Sequence, residues 1–172
     1  MTDTATSADT PFWRFSLKFY RQGGVSEACI DLQDGYGVDV NLLLFLLWLA
    51  SDGRQVSAAD VKTLDDSVRS WRTLTIVPIR DVRRKLKGVA TLVEPGTQEA
   101  FRNKVKAVEL EAEQLQQAGL YAFTKSGPLG AEAHPPVAAI ANIAAYESML
   151  GVNFPKHSVA ALASAFAAAI GH

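Results

Sequence analysis

Cysteine occurs once in this sequence, at Cys29, and histidine only at His134, His157 and His172. One thiol closes no internal disulfide. The scattered imidazoles lack the His-x-x-x-His and His-Glu-x-x-His spacings that put two metal ligands on one helical turn. No metal centre and no cofactor is expected. "TKSGPLG" (124–130) holds a Lys-Ser pair and two glycines, but not the order that cradles phosphate, and no strand precedes it. The opening stretch "MTDTATSADTPFWRF" has no basic segment leading into an apolar one, so no secretory leader is expected. Together with the single thiol, this predicts a cytoplasmic setting. Long apolar runs are missing too. Between Asp39 and Asp52 the uncharged stretch covers only Val40 to Ser51, short of the roughly 17–25 residues of a membrane-spanning helix. A formal net charge of −1 excludes a globally basic nucleic-acid binder and a strongly acidic chain.

What is present is a helical alphabet. The run Val40–Ala50 is apolar on every face, which suits a helix buried among others, with Asp39 as its N-cap and Gly53 just past its end. Ahead of it, Thr10-Pro11 opens a helix carrying Phe12, Phe15 and Phe19. A shorter helix, about 26–33, buries Val25, Ala28, Cys29 and Leu32. Ser57 and Asp60 resemble a capping box before Val61, Leu64, Val68 and Trp71. "TLTIV" followed by Pro78 predicts a break or sharp kink, then a helix striped with Ile79, Val82, Leu86 and Val89. Phe101, Val105, Val108, Ala112, Leu115 and Gly119 alternate steps of four and three, a short coiled-coil-like seam on a helix of about 20 residues. Two alanine-rich helices close the chain, near Val137–Leu150 and Ser158–Ile170. No segment alternates as a strand would. The expected fold is an all-α, single-domain bundle of seven or eight helices around the central apolar one. A disordered tail (1–10) precedes a helical core (11–121). A loop (122–136) then leads to an alanine-rich hairpin (137–172), packed on the core or appended to it.

The segments "PFWRFSLKFY", "GVDVNLLLFLLWLA" and "WRTLTIVPIRDVRRKLKG" together resemble a family of small proteobacterial proteins known only as a domain of unknown function, over about residues 11–121. The resemblance implies a bacterial origin. It implies no activity, and no site residue can be carried across.

Charge is concentrated in one place. Residues 69–87 hold Arg69, Arg72, Arg80, Arg83, Arg84, Lys85 and Lys87 against the single acid Asp81. On a helix after Pro78, Arg80, Arg83, Arg84 and Lys87 share one side, and guanidinium forks suit paired oxygens. This face is the expected contact for a protein partner with an acidic surface. The modest patch and the neutral whole argue against nucleic acid. The bland alternative is a helix that complements acids of its own chain, such as Glu109, Glu111 and Glu113. A second locus is "GYGVDVN", where Tyr36, Asp39 and Asn41 set polar groups at the mouth of the apolar helix and would line a ligand cleft. The primary expectation is therefore a non-catalytic interaction or regulatory module. The alternatives are a small-molecule or lipid binder, or an enzyme with its site near residues 35–41. Carboxylates offer little for a metal: Glu27, Asp31 and Asp34 lie on an exposed helix side, and Asp65-Asp66 lacks a second spaced acidic pair.

Overall fold

The computed structural model describes residues 8–88 and 92–171. Most of the expected N-terminal tail, Val89 and His172 lie outside those residues. The chain runs α1 (Pro11–Tyr20), α2 (Val25–Tyr36), α3 (Val40–Ser51), β1 (Arg54–Gln55), α4 (Ala58–Trp71), a π-helical turn (Arg72–Ile76), α5 (Val77–Lys85), α6 (Pro95–Ala122), a 3-10 turn (Phe123–Ser126), β2 (Ala131–Glu132), α7 (Pro135–Leu150) and α8 (Lys156–Ile170). It is an all-α single domain, as the periodicity predicts.

The caps act as their chemistry requires. The Thr10 hydroxyl accepts from the Trp13 N–H with Pro11 in the first turn, and the Asp39 carboxylate accepts from the Asn41 N–H. Ser57 and Asp60 form a reciprocal capping box. The apolar run then becomes the middle of the molecule. Leu42, Leu43, Leu44, Phe45, Leu46, Leu47, Leu49 and Ala50 are all buried, and α3 packs against α1, α2, α6 and α7. Phe12 meets Phe45 edge-on, at 5.1 Å between ring centroids.

Of the break or sharp kink expected at Pro78, the break does not occur. Helical hydrogen bonding continues through the π turn, where the Val77 N–H donates to the Arg72 carbonyl. The wider turn inserts one extra residue before a proline that has no N–H to donate, so α4, the π turn and α5 succeed one another without a coil. Trp71, just before it, donates its indole N–H to the Ala112 carbonyl at 2.9 Å and holds α6 alongside. A second departure is a two-residue antiparallel ladder, Arg54 opposite Glu132 and Gln55 opposite Ala131. Such short strands carry no alternation that a sequence could show. Gly130 permits the crossing. Its φ is +65°, and a Cβ there would run into the Gln55 carbonyl.

The alanine-rich pair does not sit apart. Ala138, Ala139, Ile143, Tyr146, Phe154, Leu162, Ala165 and Phe166 belong to the same buried cluster as α3. Two polar groups lock this packing. The buried Asn142 accepts from the Val56 N–H at 2.8 Å and donates to the Leu46 and Arg54 carbonyls. The Tyr146 hydroxyl accepts from the Asp39 N–H at 2.8 Å.

Candidate functional site

Helices α1, α2 and α3 form one wall, and α5 with α6 the other, of an open cleft of about 940 Å³. The first wall is apolar and aromatic, with Trp13, Leu17, Tyr20, Ile30, Val40 and Leu44. The second carries Arg80, Arg83, Arg84, Lys87, Arg102, Lys106, Glu109 and Glu113, with Arg21 at the α1 end. At the base, the Ser16 hydroxyl donates to Gln117 Oε1 at 2.6 Å, and Gln117 Nε2 donates to Asn41 Oδ1 at 2.8 Å. Those polar atoms satisfy one another.

The basic residues divide into two sets. Arg80 donates to Glu109 at 2.9 Å and to Glu113 at 2.7 Å, and Arg83 donates to both oxygens of Glu109. The guanidiniums of Arg80 and Arg83 are largely covered, so these two do not form the exposed face expected for them. They bind α5 to α6. The acids that hold them are two of the three acids that the sequence offers as internal partners; Glu111 is not involved. Arg84 reaches across the cleft to Asp34 on α2 at 3.0 Å, a pair about half exposed at both ends. Lys87, Arg21 and Lys106 have no ion-pair partner among the described residues, and Arg102 pairs with Glu99 at 2.8 Å.

Burial pushes the Glu109 carboxyl up, but the hydrogen bonds from Arg83 and Arg80 outweigh it and hold Glu109 below its ordinary value. For Glu113 burial prevails over Arg80, and the carboxyl is raised. Tyr20, beside it, is raised by burial and by nearby negative charge. A lowered carboxylate contributes stability that is present above its unfolded pKa and lost as pH falls through the folded one. Glu109→Gln should therefore lower stability at neutral pH and flatten the decline as pH falls below the ordinary carboxylate value of 4.5, as read from urea midpoints across pH.

Tyr36, Asp39 and Asn41 do not converge. Tyr36 turns to the other side of the bundle, where its ring meets Phe154 at 6.1 Å. Asp39 is buried against Arg72, whose Nη1 lies 2.7 Å from its carboxylate, and it also accepts from Gln116. Only Asn41 reaches the cleft. The helical steps Trp13, Leu17, Tyr20 and the basic pair Arg102, Lys106 are cleft residues that a search for motifs passes over; their signal is a second patterned face on α1 and on α6. Cys29 is fully buried, and burial pushes its thiol up to about 12, so it is no nucleophile. Among the described residues no group of three or more His, Cys, Asp or Glu is placed to hold a metal, and no helix is long and apolar enough to cross a membrane.

A family model described as "Protein of unknown function (DUF2390)" matches residues 11–120. The chain belongs to that family. Neither a curated protein nor a solved structure matches it. The DUF2390 match takes in both walls of the cleft, from α1 to α6, and stops short of α7, which packs on α3, and α8, which packs on α2.

Proposed function

We propose that this chain is a non-catalytic interaction module of the bacterial cytoplasm, whose cleft takes an acidic amphipathic segment of a partner protein. The observation that carries this is the pairing of an apolar wall, Trp13, Leu17, Tyr20, Ile30 and Leu44, with a cationic rim of Arg21, Arg84, Lys87 and Lys106. A helix with one acidic and one apolar face matches both walls at once. Arg80 and Arg83, engaged by Glu109 and Glu113, hold the second wall in place. Arg84 exchanges its exposed Asp34 for an incoming carboxylate at little loss, since such pairs contribute about 0–1 kcal/mol. The single, buried thiol supports a reducing compartment.

Because Trp13 lines the cleft, intrinsic fluorescence reports occupancy. Titration with a synthetic helix bearing glutamates on one face and leucines on the other should give saturable binding that weakens with salt. Lys87→Glu with Lys106→Glu should weaken it about tenfold or more with the melting temperature nearly unchanged. Equal binding by that double variant would remove the basis for the proposal. The volume, about 940 Å³, also suits a small amphipathic anion. Calorimetric binding of dodecanoate in place of the peptide would favour that second reading.

A further inference from the structure

The α5–α6 hairpin has a side that none of the described residues covers. Of the four-and-three seam on α6, Ala112 is buried beside Trp71, and Val105 is half-buried. Phe101, Val108 and Leu115 remain 56%, 52% and 46% exposed. They recur every seven residues, about 10.5 Å apart, so they form one straight row. On α5, Val82 is also exposed and lies on the side turned away from Arg80. The row lies across α6 from the cleft residues Lys106, Leu110, Glu113 and Gln117.

Next to the row, one step further from the packed side, stand Lys104 and Glu111. Both are exposed, and neither has an ion-pair partner among the described residues. Their order decides what fits. A helix laid antiparallel across a two-fold axis midway between them brings each Lys104 against the other chain's Glu111. The same axis sets Val108 beside its own copy and Phe101 across from the partner's Leu115. An isologous interface demands this self-complementarity, and an unrelated helix would have no reason to share the register.

We propose that this flank of α6 is the two-fold interface of a homodimer, in which a second copy of the chain lies antiparallel across Val108. Two α5–α6 hairpins then complete a four-helix bundle, each supplying the apolar cover the other lacks. The cleft between α1 and α6 stays open on the opposite side, so the dimer presents two of them.

Sedimentation equilibrium of the full chain tests this directly. The wild type should be dimeric at micromolar concentration. Val108→Glu, which brings two carboxylates together at the axis, should weaken association about 100-fold or more with helicity by circular dichroism unchanged. Lys104→Glu should weaken it about tenfold, and adding Glu111→Lys should restore it. Val108→Cys should form a disulfide with its own copy under mild oxidation, while Phe101→Cys, far from the axis, should not; Cys29 is buried and does not compete. A wild type that is monomeric at every concentration overturns the proposal. So does a dimer that survives Val108→Glu, or one that the charge exchange fails to restore.

Discussion

A chain ended after Gly130 should lose its cooperative fold. It keeps the whole stretch matched by the family and both walls of the cleft, yet it lacks α7 and α8, which pack on α3 and α2. Ile143, Phe154, Leu162 and Phe166 are all buried, and removing each forfeits about 1.5–3 kcal/mol. The faces of α2 and α3 on which α8 and α7 pack are laid bare at the same time. That sum, about 6–12 kcal/mol, is of the same order as the whole stability of an ordinary domain, about 5–15 kcal/mol. Truncation also orphans two backbone donors, the N–H of Val56, which Asn142 satisfies, and that of Asp39, which Tyr146 satisfies. The expected product keeps much of its far-UV helical signal, loses its near-UV signal and melts without a transition. A truncated chain that melted sharply would show that α1 to α6 stand alone.

Much of the architecture is legible in the residue order because the signals are local. Asp39 beside an all-apolar run, and Ser57 three residues before Asp60, are caps whose partners lie within one turn. What was not legible depends on distance along the chain. Arg80 and Arg83 read either as a free basic face or as a complement to acids such as Glu109 and Glu113, and only the packing of α6 on α5, which brings residues 26 to 33 positions apart together, decides between the two. The matching spacing of Glu109 and Glu113, four apart, is the one hint, since antiparallel helices of opposite charge pair in that register. Asn142 and Tyr146 sit in a helix whose alanines suggest a light, detachable element, yet these two residues tie it to the centre. Alanine keeps helices close rather than loosely attached. The site was half visible for the same reason: Lys87 and Asn41 do line the cleft, whereas the aromatic wall on α1 is read from sequence as core packing alone.

Arg72→Met should be among the most destabilising single substitutions in the chain. Arg72 Nη1 lies 2.7 Å from Asp39 and 2.9 Å from Asp65. Those carboxylates are only 6% and 8% exposed, and the guanidinium 20%. Burial pushes the Arg72 guanidinium down, but the two carboxylates outweigh it and leave it raised, so the buried guanidinium keeps its charge. Methionine fills the stem's volume and removes the charge, which leaves two buried carboxylates with the Asn41 N–H, Gln116 and the half-exposed Arg69 as their remaining partners. Breaking a buried pair in this way costs about 3–5 kcal/mol. By contrast Arg84→Met, at the half-exposed pair with Asp34, should cost about 0–1 kcal/mol. Urea midpoints at unchanged m-value measure both, and the loss at Arg72 should persist in high salt, where the exposed pair's contribution fades. Adding Asp39→Asn keeps an oxygen to cap α3 but removes one orphaned charge. The double variant should therefore recover part of the loss, with a coupling of about 0.5–3 kcal/mol between the two sites. If Arg72→Met cost no more than Arg84→Met, the buried triad would be incidental to the fold; if the double variant fell by the sum of the two singles, Arg72 and Asp39 would be acting independently.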